Sequence, residues 1–411
     1  MIRRSKSTCA LMVLSLLGVG CDGVNSGEGP TLEVEPARPV QTPNQRLSEV
    51  FDGFGPTDAA PRDLPAEWQE RLDAREVDYG AALRVASLRT RGELPSMLEL
   101  AVIDGIDDQS RAYEVLVDEF LDDPRFLRML FAFFRDAMKM GGDETLDSAP
   151  AFAADVVFQD RPFSEIFTAR SGTCPTYADS SEGPEIEPGD CDNAVEVHAG
   201  LLTHPGVMQH FYSNLAFRRV RWVQETFACR AFPAEFGEPR DVGGEGDYIA
   251  PWDFLSIAGE SNGGRVDFHD VESAVCANCH ATMNHIAPLF ARFDEQGRWQ
   301  EDIAVPLPLD GFPVALRTDW LPEGEPAAWR MGVVVENMTE LGEALAADEE
   351  VAACVVARVW NWGLGRGDAV GDMELVPASV TADVRRAYSE SGNRLKAAFR
   401  ATLLSPDFVR F

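Results

Sequence analysis

Apolar residues recur at three- and four-residue spacing along much of the chain, and this spacing is typical of amphipathic helices. The clearest run extends from Ala66 to Met140. Proline is tolerated at a helix start and disfavours an α conformation in the residue before it, so Pro124 predicts the end of one helix and the start of another. Gly141-Gly142 is expected to end the run.

The same spacing returns over residues 207–232, and two terminal helices are predicted at 339–363 and 379–404. A loop is expected at 172–192, and residues 297–330 are rich in proline and glycine with only short strand-like runs. The pattern therefore predicts a mostly α protein, with a helical N-terminal bundle followed by a second helical domain towards the C-terminus.

The N-terminus has the layout of a secretory signal, in which basic residues precede a short apolar run and small residues. The stretch Leu17–Cys21 resembles the lipobox of bacterial lipoproteins, which implies lipidation of Cys21 after removal of residues 1–20. Gly18 departs from the lipobox pattern, so secretion with plain cleavage stays open. Residues 21–46 are polar and rich in glycine and proline, which predicts a flexible tether.

The formal net charge of −32 predicts a solvated acidic surface that does not bind nucleic acid. After the signal, no apolar stretch is long enough for a membrane helix, so we expect membrane attachment by the lipid anchor only. Phosphate-loop, nucleophile-elbow and zinc-protease motifs are absent, and the sequence supports no hydrolase.

Export implies an oxidising compartment, where unused cysteines tend to pair. Four cysteines remain once those of the signal, the lipobox and a CxxC pair are set aside. We expect a local bridge between Cys174 and Cys191 and a long-range bridge between Cys229 and Cys354. Four cysteines allow three pairings, so the other connectivities stay open.

The pentapeptide Cys276-Ala-Asn-Cys279-His280 has the spacing that attaches haem c, because two thiols form thioethers and the adjacent histidine reaches the iron. An export signal on the same chain strengthens this prediction, since such haem is attached after translocation. A thioredoxin-type redox pair and a zinc site are the alternatives. The zinc site would use His269, Cys276, Cys279 and His285.

The sixth iron ligand separates electron transfer from ligand chemistry, because an open position binds small molecules. Met331 is our predicted ligand, with Met338 as a second choice, and ordinary core packing is the alternative for both. Met283 is too close to His280 to reach the opposite haem face. A distal histidine is a further alternative, weighed against surface or capping roles for His198, His204 and His210.

The stretch Cys276–Phe290, with Phe293–Trp299 after it, resembles the uncharacterised cytochrome-c-like domains of planctomycete and myxobacterial secreted proteins. Further similar stretches bring the resemblance to most of residues 80–411. It implies haem thioethers at Cys276 and Cys279 and an iron bond from His280. The pattern departs at Asn284-His285, where an aspartate-proline-like turn is usual. We predict domains at 47–145 (helical), 146–240 (helical with a disulfide loop) and 241–411 (cytochrome-c-like).

These observations predict an exported c-type cytochrome that transfers electrons in the cell envelope, at the periplasm, outer membrane or cell surface. A haem oxidoreductase or peroxidase-like enzyme is one alternative, and it would need an open distal site with an acid–base group such as His285. A surface lipoprotein that binds an extracellular polymer or partner is another. The sequence identifies no redox partner.

Overall fold

The computed structural model describes residues 66–180, 183–230, 283–307, 315–321, 323–329, 332–367 and 376–411. All of these belong to one compact unit, Thr42–Phe411. Helices make up most of the described chain and its strands are few and short, so the prediction of a mostly α fold is confirmed. The division of the chain at residues 145 and 240 stays a prediction.

The N-terminal part of the described chain, up to Thr168, consists of helices joined by short connections. Its seven helices are α1 (Ala66–Asp73), α2 (Tyr79–Arg91), α3 (Met97–Gly105), α4 (Gln109–Asp122), α5 (Pro124–Met138), α6 (Glu144–Phe158) and α7 (Glu165–Thr168). The long apolar run thus divides into five helices, α1 to α5. Asp123 accepts a hydrogen bond from the backbone of Arg125 at the start of α5, so the predicted restart at Pro124 is confirmed.

The segment predicted as a loop at 172–192 contains an antiparallel hairpin. Strand β1 (Thr176–Ser180) pairs with β2 (Gly183–Glu187) in the register Tyr177 to Ile186. Tyr177 stacks on Phe131 of α5, with ring centroids 3.8 Å apart. The sequence favoured a loop because proline, glycine and glutamate are common there, whereas packing against α5 stabilises strands despite that composition.

The chain then forms short helical segments. A 3₁₀ helix at Gly200–Thr203 precedes α8 (Pro205–His210), a second at Asn214–Ala216 precedes α9 (Phe217–Phe227), and a third lies at Arg317–Asp319. Residues 283–290 are helical and are called α10 here. The remaining elements are β3 (Ala328–Trp329), β4 (Val333–Val334), α11 (Met338–Ala346), α12 (Glu349–Gly363), α13 (Ala382–Glu390), α14 (Leu395–Leu403) and α15 (Pro406–Val409).

The last helices pack on the first ones. Phe399 of α14 makes edge-to-face contacts with Phe126 and Phe133 of α5, at centroid distances of 5.4 and 5.6 Å. The buried Tyr113 hydroxyl donates a hydrogen bond to the Leu403 carbonyl at 2.8 Å. The two ends of the described chain therefore share one aromatic core.

The backbone at the start of α8 packs directly against the backbone of two other segments. A Cβ atom at Gly206 would lie 2.4 Å from the carbonyl oxygen of Thr145 in α6. A Cβ atom at Gly297, whose φ is +73°, would lie 2.3 Å from the carbonyl oxygen of Pro205. Both distances are below van der Waals contact, so glycine is required at these two positions.

Among the described residues, no helix is both long and apolar enough to cross a membrane.

Candidate functional site

The residues predicted to bind haem lie outside the described part of the chain. This applies to Cys276, Cys279 and His280, to the predicted sixth ligand Met331 and to the predicted lipidation site Cys21. The structure describes the residues on both sides of this segment, up to Arg230 and from Met283.

The helix that follows the predicted haem motif is embedded in the core. Its described part starts three residues after His280, and Asn284, Ile286, Ala287 and Phe290 are fully buried. Burial of three apolar side chains stabilises α10 by several kcal/mol, at about 1.5–3 kcal/mol for a large one. The chain after the motif is thus fixed to the protein interior.

The Arg219 side chain, fully buried, holds the C-terminal end of α10. Its guanidinium donates to the carbonyl oxygens of Phe290, Phe293 and Asp294 at 2.7–2.9 Å, and to the carbonyl of Met208 at 2.6 and 2.9 Å. Unpaired carbonyls and a partial negative charge collect at a helix C-terminus, so a cation there is favourable. Burial lowers the pKa of Arg219 to about 10, and the side chain stays charged at neutral pH.

His285 forms a buried pair with Glu325. The imidazole Nε2 and the carboxylate Oε1 are 2.6 Å apart, and the two side chains are 1% and 13% exposed. A carboxylate only accepts, so Nε2 carries the hydrogen and the ring orientation is fixed. His285 was predicted from the sequence as a possible acid–base group near a haem. Its partner Glu325, forty positions further along the chain, was not predicted.

The chain before residue 231 is also anchored. Cys229, two residues after the end of α9, forms a disulfide bond with Cys354 of α12, and 5.5 Å separate their Cα atoms. Next to it, Arg230 forms an ion pair with Glu350 at 3.0 Å. The described chain therefore stops at a cross-linked position before the CxxCH motif and resumes in a buried helix after it.

Two methionines that the sequence weighed are described. Met338 is the first residue of α11 after its cap Asn337, and it is buried in the main apolar core. Met283 is half-buried and packs against the same core. The position of Met338 matches the core-packing alternative, and the choice of Met331 as sixth ligand stays a prediction.

His204 caps helix α8 from a fully buried position. Its Nδ1 accepts from the Gly206 backbone N–H at 3.1 Å, so Nε2 carries the hydrogen and donates to Ser148 Oγ at 3.3 Å. Ser148 in turn donates to the Pro175 carbonyl at 2.6 Å. Burial lowers the pKa of His204 to about 3, which keeps the ring neutral.

The other two histidines of this region also have protein partners. His198 Nδ1 lies 3.2 Å from Thr203 Oγ1, and His210 Nε2 lies 3.2 Å from the Lys139 carbonyl oxygen. Partial burial lowers the pKa of His198. His204 is thus a helix cap, one of the roles weighed from the sequence, and His198 and His210 contact neighbouring polar atoms.

The second disulfide joins Cys174 to Cys191 across the β1–β2 hairpin, with 5.0 Å between the Cα atoms. Both disulfides follow the pairing that the sequence favoured. Within the described residues, Cys174, Cys191 and His204 are the one group of three His, Cys, Asp or Glu residues close enough to hold a metal, within 4.8 Å. Disulfide sulfurs are not thiolate ligands, so this group is structural.

Comparison with known proteins shows a similarity to one family over part of the chain. Residues 198–303 match the model of the family PSCyt3, described as a protein of unknown function (DUF1588), whose name is that of a planctomycete cytochrome-like domain family. The matched stretch includes the CxxCH motif, α8 to α10, Arg219 and His285. No curated protein and no solved structure matches the chain.

Proposed function

We propose that the protein is an exported c-type cytochrome that carries one covalent haem and transfers electrons in the cell envelope. This proposal rests on one observation. The pentapeptide Cys276–His280 lies inside the 106-residue stretch, 198–303, that matches a family with a cytochrome-like name. Two thiols and an adjacent imidazole form the donor set that covalent haem requires.

Each residue of the motif has a distinct task in this proposal. Cys276 and Cys279 would bind the two vinyl groups as thioethers, and His280 would ligate the iron. Met331 would supply the second iron ligand from the protein. The haem, when bound, supplies one-electron exchange between its ferrous and ferric states.

The described residues support this function by fixing what surrounds the motif. Arg219 and the buried face of α10 hold the chain just after His280, and the Cys229–Cys354 disulfide holds it before residue 231. A rigid attachment keeps reorganisation small when charge changes, which favours electron transfer. The apolar interior also excludes water, and exclusion of water is one means by which proteins set haem potentials.

Location in the cell envelope is part of the proposal. Two disulfides between described residues fit an oxidising compartment, and the signal over residues 1–20 with Cys21 after it fits export and lipidation. The redox partner would then be another protein of the envelope. Attachment to the membrane would depend on the lipid at Cys21.

The His285–Glu325 pair favours a second candidate function, a haem oxidoreductase with peroxidase-like activity. A histidine oriented by a carboxylate is a common arrangement for proton transfer. His285 lies only five positions after His280 in the chain. This function requires an open sixth position on the iron, whereas electron transfer is favoured by a filled one.

The test is an optical spectrum, oxidised and dithionite-reduced, of the full chain expressed with a cytochrome c maturation system, followed by haem staining of a denaturing gel. We expect a sharp reduced α band and covalent stain, both lost in Cys276→Ala/Cys279→Ala. Cys174→Ala/Cys191→Ala is the matched control, since it also removes two cysteines and should keep the haem.

The spectrum also separates the two candidate functions. A low-spin spectrum supports electron transfer, and a high-spin spectrum supports the oxidoreductase. A colourless protein that contains zinc would overturn both and favour the site formed by His269, Cys276, Cys279 and His285.

A further inference from the structure

The start of α3 and the residues just before it present the three most exposed large apolar side chains among the described residues. Met97 is 81% exposed, Leu98 76% and Leu94 62%, whereas no other described large apolar side chain exceeds 55%. All three lie within five consecutive positions, 94–98, called the apolar turn here. Single exposed apolar residues are ordinary on a protein surface, whereas neighbouring exposed apolar side chains are a feature of interaction surfaces.

The apolar turn is a rigid part of the fold. Ser96 and Glu99 form a capping box, in which the Ser96 hydroxyl accepts from the Glu99 backbone N–H and the Glu99 carboxylate accepts from the Ser96 N–H at 2.6 Å. Glu99 also pairs with the buried Arg91 at 2.8 Å. Arg91 lies over the ring of Phe120, 3.7 Å from its centroid. The exposed side chains therefore sit on a fixed backbone.

The turn carries no uncompensated carboxylate of its own. The acidic residues that flank it, Glu93 and Glu99, pair with Arg125 and Arg91 respectively. The chain as a whole has a net charge of −32, which repels anionic surfaces. An uncharged apolar turn on an acidic protein fits an apolar partner that has no net negative charge.

We propose that the apolar turn inserts into a zwitterionic phospholipid surface and orients the protein on the membrane. This inference rests on the proposed lipid anchor at Cys21. Forty-five positions separate Cys21 from Ala66. The flexible tether that the sequence predicts over residues 21–46 would have a root-mean-square span of roughly 25–30 Å, which keeps an anchored protein within reach of the bilayer.

Tethering makes a small contact sufficient. The lipid raises the effective concentration of the membrane around the turn, so three side chains can hold an orientation that they could not maintain from solution. Leucine and methionine are suited to this contact, since each gains about 1.5–3 kcal/mol when fully removed from water.

The experiment uses the full acylated chain on phosphatidylcholine vesicles that contain a phosphatidylcholine with a photoactivatable acyl chain. After illumination, reduction of the disulfides and trypsin digestion, mass spectrometry measures lipid adducts on the peptide Gly92–Arg111, which contains the apolar turn. The peptide Met331–Arg358 is the internal reference, because it carries Val333 and Val334, 50% and 55% exposed.

We expect adducts on Gly92–Arg111 in clear excess over the reference. Met97→Glu/Leu98→Glu should reduce them about tenfold, which corresponds to only 1.4 kcal/mol of lost contact. Val333→Glu/Val334→Glu, the matched control, should leave them unchanged. Equal labelling of the two peptides, or no reduction in the first variant, would overturn the proposal.

Two further measurements distinguish failure of this proposal from failure of the proposed function. Vesicle flotation reports the anchor, and the haem spectrum reports the cytochrome, independently of the adducts. Sedimentation without vesicles tests a different occupant, a second copy of the chain. A dimer that Met97→Glu/Leu98→Glu dissociates would identify the turn as a protein interface and would also overturn the proposal.

Discussion

The two disulfides of this protein cross-link very different regions. Cys174–Cys191 closes a hairpin between residues 17 positions apart, and the backbone there is already paired, with Cys174 N–H donating to Gly189. Cys229–Cys354 joins residues 125 positions apart and lies in the interior, with both cysteines at most 5% exposed. The local bridge reinforces a shape that neighbouring residues already define, whereas the long-range bridge joins distant parts of the chain, one of them just before residue 231.

The largest expected effect comes from removal of the long-range bridge. Cys229→Ala/Cys354→Ala should lower the free energy of unfolding by about 5 kcal/mol, because a loop of this length restricts the unfolded chain strongly. Urea unfolding followed by circular dichroism measures the loss. A loss no greater than that from removing the hairpin bridge would contradict this ranking.

Arg219 holds the same region without a covalent bond. Arg219→Met should lower the free energy of unfolding by about 4 kcal/mol, since it leaves several buried carbonyls without a donor. The matched control is the exposed neighbour, Arg218→Met, which should change stability by less than about 0.5 kcal/mol. Similar losses in the two variants would show that the buried hydrogen bonds contribute little.

Removal of the hairpin bridge should have a smaller effect. The Cys174–Cys191 disulfide closes a much shorter loop than the long-range bridge does. For Cys174→Ala/Cys191→Ala we therefore expect a loss of about 3 kcal/mol in the free energy of unfolding. Amide hydrogen exchange should then show faster exchange in β1 and β2 and little change in α12. Faster exchange throughout the protein would mean that the hairpin is not a local unit.

The smallest effect is a pH dependence at His204, which lies beside the hairpin bridge. Its pKa is about 3 in the folded state and 6.5 in the unfolded chain, so between these values only the unfolded chain binds the proton. Stability should therefore fall as pH falls from 6.5, by about 1.4 kcal/mol per unit. Urea unfolding at pH 7 and pH 5 measures this slope. His204→Asn, which can still cap α8, should reduce the difference, and an unchanged difference would show that His204 is not its source.

Much of the helical fold could be predicted because periodicity reports which face of a segment is buried. The predicted helix at 339–363 is present as α11 and α12, and that at 379–404 as α13 and α14. Each was predicted as one helix, since the apolar spacing continues across the short turns. The breaks depend on caps such as Asp348, which accepts from the Glu350 N–H, and these are weak signals within a periodic run.

The candidate site could be predicted only where it is a local motif. Cys276–His280 is recognisable from spacing alone, but its supports are not. Arg219 stands among Arg218 and Arg221, and the three are alike in sequence although one is fully buried. The pairing of His285 with Glu325 depends on tertiary contact, which no periodicity encodes. The disulfides could be predicted in part, because the cysteine count limits the four remaining cysteines to three possible pairings.

The tight packing around Gly206 and Gly297 has a consequence for evolution. At both positions even the smallest side chain would collide with a backbone carbonyl, and a backbone moves only if a whole element moves with it. Relatives that keep this arrangement of α6, α8 and the turn after α10 must therefore keep both glycines, while the surrounding side chains remain free to vary. Among related sequences, we expect the glycines at 206 and 297 to be retained together, or to be replaced together where the packing itself changes.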